Sequence, residues 1–352
     1  MTEEQPVTEE IKSKKKSSFS LKNPKRFIKL LFGGFFVWLI IRSFFFQVMY
    51  IPSSSMRGTL CENDYILVNK LVYGPRMPIT LFSLPFAGST THLDWVEFGY
   101  HRAPGYSEIK RNDVLVFNFP GEKNLPVDLR QPYIKRCAGI PGDSLAIING
   151  EVFINGKRTE DPLWEQRRYF IVMKNENGAE DFFRQLKIGE PYTTQDHIHY
   201  ILLLNNYQLS LLRASGKISS FSIQRFEKKV FNVQLFPHDP HYKWNSDFYG
   251  SIFIPGKGKT VKLDANNICL YRDIISAEEK NKVEIKSGTV YLNDQPATSY
   301  TFKENYFFVL GDNRYDSEDS RYWGFVPESH VIGKAVLLLK TSGPRSDFSL
   351  IR

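Results

Sequence analysis

Three short segments carry side chains of the kind that do covalent chemistry. The first is Ile51-Pro-Ser-Ser-Ser-Met-Arg-Gly-Thr-Leu60, which sets Ser53, Ser54 and Ser55 side by side behind a proline. A serine hydroxyl attacks a carbonyl poorly until a base removes its proton; without one, the run reads as a polar linker. Histidine is the usual base, yet His92, His101 and His330 lack the surroundings of a Ser-His-Asp site. A lysine can serve if it is neutral. Its ordinary pKa of about 10.4 must then be lowered by loss of water or by nearby positive charge. Lys135 is the best candidate: it lies inside the strand-like run Tyr133-Ile-Lys-Arg-Cys-Ala-Gly-Ile140, beside Arg136 and before the turn Pro141-Gly142-Asp143. Taken alone, it also reads as a solvent-facing lysine on an edge strand. The third segment, Gly311 to Pro327, packs acids, two arginines, small polar groups and aromatics together. It reads either as a surface loop or as a packed polar network in which Asp319 and Arg321 satisfy each other.

The elements that must position these groups are mostly strands. Short runs rich in Val, Ile, Tyr and Phe alternate with turn signals: 64–74, 113–119, 132–140, 144–156 and 304–312. Gly150–Lys157 and Gly288–Gln295 look alike, each a strand, an Asn-Gly or Asn-Asp turn and a returning strand, which predicts two hairpins. Between them, about 158–285, the texture changes to a short helix over Ala179–Leu186, mixed polar and apolar stretches, and a loop-rich piece from Pro237 to Gly258. The chain reads as mainly β, with this middle as a large inserted region.

Lys plus Arg is 46 against 38 Asp plus Glu, a net charge of +8 over 352 residues. Half of that excess sits in residues 1–29, where eight basic side chains face four acids. The remainder shows no basic stripe, so nucleic acid is not an expected partner. The basic run leads into an apolar one, Leu30 to Ile41 without a charge, then Arg42 and a further apolar stretch to Ile51. A span of about 30 Å needs roughly 20 helical residues. Residues 27–47 supply that length as a transmembrane helix, too long for a cleaved export signal and without its small-residue cleavage site. Positive residues stay on the cytoplasmic side. The expected arrangement is a cytoplasmic basic tail (1–26), one anchor (27–47) in the bacterial inner membrane, and an extracytoplasmic body. GKGKT at 256–260 lacks the glycine of a phosphate loop. His197 with His199 and His238 with His241 lack metal-site companions. No metal and no cofactor are expected. Cys61, Cys137 and Cys269 are too few and scattered for a disulfide scaffold.

Together the segments resemble bacterial type I signal peptidases, the membrane-anchored leader peptidases. The resemblance rests on Arg42-Ser-Phe, Ile51-Pro-Ser-Ser-Ser-Met56, Arg111-Asn-Asp-Val-Leu-Val-Phe117, Tyr133-Ile-Lys-Arg136 with Gly139-Ile-Pro-Gly-Asp143, and Gly311-Asp-Asn-Arg314 with Asp316-Ser317 and Asp319-Ser-Arg-Tyr-Trp-Gly324. It implies a signal-peptidase-like β core in two parts, 48–157 and 286–352, around an inserted domain, 158–285. It further implies Ser55 as nucleophile and Lys135 as general base. Ser53, with the Ser55 amide, would form an oxyanion hole. Ser317 would orient the lysine, and Asp319 with Arg321 would hold the loop beneath the site. The partners implied are preproteins bearing signal peptides, the lipid bilayer and the export machinery. Met49 and Ile51 on one side, and Tyr133 and Ile134 on the other, are expected to line the substrate pocket. The sequence departs from the family at Ser54, where a glycine is usual, at Arg57-Gly58 after the nucleophile, and in lacking a second membrane helix. Two alternatives remain: a self-cleaving repressor of the same core fold, and an inactive relative acting as a tethered binding module.

Overall fold

The computed structural model describes residues 24–80, 99–175, 178–189, 191–193, 196–343 and 345–351. Most of the basic tail and His92 lie outside the described residues. The chain divides into two units, 1–42 and 43–352.

In the first unit, Pro24–Ile40 is an α-helix. Proline suits a helix's first turn, where its missing N–H has no intrahelical partner to lose. The helix is apolar on all faces and its side chains are almost all exposed. With the following turn it gives an apolar helical stretch, Phe27–Phe45, long enough to cross a membrane. Arg42 lays its guanidinium over the Trp38 ring, 5.4 Å from the centroid. The helix ends before the expected boundary at residue 47. Phe46–Tyr50 is a strand, paired residue by residue with Tyr65–Asn69. The alternation Phe46-Gln47-Val48 fits that ladder, which satisfies backbone groups a lengthened helix would have to satisfy itself.

The second unit is built on a curled antiparallel sheet. Its strands run in the order Phe46–Tyr50, Tyr65–Asn69, Val331–Lys340, Val114–Asn118, Pro132–Gly139, Tyr306–Leu310 and Val326–Pro327, with Ser349–Leu350 beside Val331–Lys340. Val114–Asn118 and Tyr306–Leu310 are buried at every position. They lie inside the sheet with both faces covered, so their apolar runs are continuous and not alternating. Ile51, Met56, Ile66, Val114, Val116 and Ile134 share one apolar cluster; Leu115, Phe117, Cys137, Phe307 and Val309 share another.

Both expected hairpins form. Asn155 and Gly156 turn with φ of 53° and 78°, and Asn293 and Asp294 with 50° and 65°. Two consecutive left-handed residues make the hairpin turn whose twist matches its strands. The expected short helix is Ala179–Gln185. With Asn206–Ala214 it packs on a separate four-stranded sheet, Ile218–Ile223, Arg167–Met173, His199–Leu204 and Tyr192–Thr193, around its own apolar cluster. The rest of the middle region behaves differently. Phe248–Phe253 pairs with Ser144–Ile148, and residues 252–275 share a core with Leu145, Tyr306 and Phe325.

Candidate active site

Ser55 sits in a single 3-10 turn, Ser54–Met56, closed by the Arg57 N–H donating to the Ser54 carbonyl at 2.8 Å. Met56 is fully buried and anchors the turn from below. The segment before it is pinned to the chain after it: Ile51 N–H donates to Asp64 O, and Asn63 N–H to Ile51 O, both at 2.9 Å.

Lys135 comes from the strand Pro132–Gly139, in register with Leu115 on one neighbour, while Arg136 pairs with Leu310 on the other. Lys135 is 4 % exposed. Its Nζ donates to Ser55 Oγ at 2.7 Å and to the Ile134 carbonyl at 3.0 Å. Both acceptors are neutral. Burial pushes the amine down to about 8, against the upward pull of Asp319, Asp312 and Glu318. The surface-lysine reading of this position is therefore wrong: the curled sheet and the serine turn close over the side chain. Ser53 stands in extended backbone just before the turn, its hydroxyl not used as a helix cap, with Oγ 3.4 Å from Ser55 Oγ.

The third segment lies against this pair as a polar cradle. The buried Asp319 carboxylate accepts from Arg321 Nε and Nη2, both at 2.8 Å, from Gly311 N at 3.0 Å and from Ser317 Oγ at 3.0 Å. Burial alone would raise its pKa; the Arg321 guanidinium and the backbone N–H groups outweigh that and hold it low. The hydroxyl of Ser317 thus goes to Asp319, whereas the two hydrogen bonds of Lys135 go to Ser55 and Ile134. Gly311 admits no side chain: a Cβ there would lie 2.1 Å from Ser317 Oγ and 2.5 Å from the Ser55 carbonyl oxygen.

Other groups at the site carried no assigned role in the sequence reading. Arg136 holds Asp312 through two bonds of 2.7 and 2.6 Å, and Thr59 Oγ1 donates to the same carboxylate at 2.5 Å. Asn313 donates from its backbone N–H to the Ser55 carbonyl at 3.1 Å and from Nδ2 to the Ser54 carbonyl at 3.2 Å. The Ser54 hydroxyl donates to Asp316. At Ser54, where the resemblance implies a glycine, this chain has a side chain that ties the turn to the cradle. The motif Gly311-Asp-Asn-Arg314 was visible; which backbone atoms it would hold was not. Of the expected pocket residues, Ile51 and Ile134 share the cluster under the turn, with Met49 packed against it. Tyr133 belongs to an aromatic group, stacked on Phe119 at 4.6 Å and edge-on to Trp323 at 5.6 Å, with Lys135 Nζ 5.5 Å from its ring.

The profile of the family described as "Signal peptidase, peptidase S26" matches residues 25–197 and 258–339. The two blocks contain every one of these residues and cover well over half of the chain. The chain belongs to the S26 signal peptidase family. Among its relatives, Signal peptidase I of Pseudomonas aeruginosa is 33% identical over 318 residues, 87% of this chain and 69% of the relative. Signal peptidase I of Buchnera aphidicola subsp. Schizaphis graminum is 28% identical over 326 residues, 90% and 75%. That of Aquifex aeolicus is 24% identical over 300 residues, 85% and 78%. As a member of the S26 family the chain is a serine hydrolase with a mainly β core.

Proposed function

We propose that this S26 member is a membrane-tethered endopeptidase that removes N-terminal signal peptides from exported preproteins, with Ser55 as nucleophile and Lys135 as general base. The observation that carries this reading is the 2.7 Å Lys135 Nζ–Ser55 Oγ hydrogen bond, made by a buried amine whose pKa is lowered to about 8. A neutral lysine takes the Ser55 proton as Oγ attacks the scissile carbonyl. The tetrahedral oxyanion is met by the Ser53 hydroxyl and the Ser55 N–H, dipoles already in place before charge develops. The lysine ammonium then gives its proton to the leaving amine, the N-terminus of the mature protein. Neutral again, it activates a water that hydrolyses the acyl-enzyme and returns the proton to Ser55.

The open edges of the sheet support a path for the substrate. Tyr306–Leu310 pairs with Arg136–Gly139 only, so on that edge no described strand covers Pro132–Lys135. Phe46–Tyr50 is the terminal strand of the sheet. An extended substrate adding a strand beside these edges directs alternate side chains toward Ile51, Ile134, Met49 and Tyr133. The Phe27–Phe45 stretch is proposed as a membrane anchor, with residues 1–26 cytoplasmic and the body outside the inner membrane. Enzyme and membrane-inserted substrate then share one bilayer, which raises their effective concentration. The core would be 48–157 with 286–352, and 158–285 the inserted domain. The export machinery is a proposed neighbour.

The test is incubation of the detergent-solubilised protein with an exported preprotein. Release of the mature chain by the wild type, and none by Ser55→Ala, is expected. Equal processing by Ser55→Ala removes the nucleophile assignment, and no processing by either favours an inactive tethered relative.

A further inference from the structure

The catalytic cradle is braced from outside by the segment that leads into the inserted sheet. The Gln166 N–H donates to the Asp312 carbonyl at 2.8 Å, and the Arg314 N–H to the Gln166 carbonyl at 3.3 Å, a short parallel bridge across Asn313. Asn313 is the residue whose N–H holds the Ser55 carbonyl. Beside this bridge, Glu165 is buried with its Oε2 2.7 Å from Arg314 Nη2, and the Arg314 Nε donates to the Gly311 carbonyl at 3.1 Å. Gly311 is the residue wedged between Ser317 and the Ser55 carbonyl. The same segment reaches the nucleophile turn from its other end. Gly58 has φ +103°, and a Cβ there would lie 2.1 Å from the Trp164 carbonyl oxygen. The departure Arg57-Gly58 therefore makes room for this brace.

We infer that Glu165 is a positioning residue for Ser55, acting through Arg314 on the Gly311–Asn313 backbone. The inference rests on the assignment of Ser55 as nucleophile. Its physical basis is that the buried carboxylate, ion-paired with the Arg314 guanidinium at 2.7 Å, holds that side chain where its Nε reaches the Gly311 carbonyl. That guanidinium fixes the carbonyl of Gly311, and the backbone two residues on fixes Ser55. Displacement of a reacting atom by about 1 Å can cost as much as a hundredfold in rate. Glu165 also accepts from Arg167 Nε at 2.9 Å, so the brace is continuous with the first strand of the inserted sheet.

The experiment compares kcat and KM on a preprotein for the full-length wild type, Glu165→Gln, Arg314→Gln, the double variant and Leu212→Ala, with a thermal melt of each. Leu212 lies in the separate core of the inserted sheet. Each single variant at the brace is expected to lower kcat about tenfold with KM within twofold. The double variant should be no slower than the slower single one. Leu212→Ala should lower the melting temperature yet keep kcat within twofold. Wild-type kcat in Glu165→Gln overturns the inference, and so does a double variant whose loss is the product of the two single losses. An equal loss of kcat in Leu212→Ala overturns it too, since the effect would then be general stability. If Glu165→Gln does not fold, Glu165→Asp decides. It keeps the charge but shortens the reach, and should lower kcat about threefold with KM unchanged; an unchanged kcat there overturns the inference. Cleavage by Ser55→Ala would instead sink the nucleophile assignment, which this series leaves separate.

Discussion

Around Ser55 many of the buried side chains are charged: Lys135, Arg136, Asp312, Asp319 and Arg321 are each no more than 4 % exposed. In the separate four-stranded sheet the buried cluster is apolar and includes Tyr169, Ile171, Met173, Phe183, Tyr200, Leu202 and Leu212. An apolar core tolerates imperfect geometry, because its attraction depends on area and not on direction. A buried charge is costly unless a partner meets it in good geometry. The cradle meets that condition selectively. Arg136 has Asp312 and Arg321 has Asp319, each through two bonds. Lys135 alone of the three cations is given only neutral acceptors. A carboxylate bonded to it would hold it charged; without one, burial brings its pKa down to about 8, as the proposed general base requires.

The largest effects should come from that unpaired cation. Lys135→Arg keeps a cation but cannot lose its proton, so kcat/KM is expected to fall by about a thousandfold or more while the circular dichroism spectrum stays that of the wild type. Retention of a tenth of the activity would remove the base assignment. The wild-type rate should rise with pH through about 8, because only the deprotonated lysine accepts the serine proton and burial has brought its pKa there. At pH 7, about a tenth of the enzyme holds a neutral base. A kcat/KM profile flat from pH 6 to 10 contradicts this.

The paired charges should behave differently, losing stability together with activity. Asp319→Asn leaves Arg321 buried with a neutral partner, and breaking such a pair costs about 3–5 kcal/mol. Chemical denaturation should show that loss, and kcat should fall with it because the amide offers one acceptor oxygen where the carboxylate offered two to Arg321, Gly311 and Ser317. In the inserted sheet, Leu202→Ala should cost about 2–5 kcal/mol locally. Cleavage at temperatures below its melt should stay within twofold of wild type. A large loss of cleavage there, without unfolding, would erase the distinction between the two regions.

The same contrast explains what the sequence made legible. Strands with apolar runs could be read, and both hairpins followed from their Asn-Gly and Asn-Asp turns. Ser55 and Lys135 followed from motif order and from the resemblance. Phe248–Phe253, inside the piece expected to be loop-rich from Pro237 to Gly258, is instead a strand paired with Ser144–Ile148, a partner too distant in sequence for local patterning to reveal. The roles of Thr59, Asp312 and Asn313 could not be read either: they act through hydrogen bonds set by the folded backbone, and polar residues in a loop look alike whether solvated or buried. Ser317 shows the limit from the other side. Its place in the cradle was legible, its bond to Asp319 was not.

The smallest effect concerns the boundary between the two kinds of packing, where the proposed substrate pocket lies. Ile51 is 3 % exposed and Ile134 9 %, both in the cluster beneath the Ser55 turn. If they wall the pocket for the residue before the scissile bond, shortening either to alanine opens space for a larger side chain. A pocket rejects one or two extra methylenes by only about 1–3 kcal/mol. The expected change is therefore a drop of about tenfold in the preference for alanine over valine at that position, not a new preference. Both substitutions also weaken the core, and less folded enzyme lowers every rate. The ratio of rates on the alanine and valine substrates cancels that loss, because both are cleaved by the same folded fraction. Ile134, the more open residue on the strand that carries the base, should shift the ratio more than Ile51. An unchanged ratio in both Ile51→Ala and Ile134→Ala would return these residues to the core and leave Met49 and Tyr133, which are half-buried, as the walls that face the substrate.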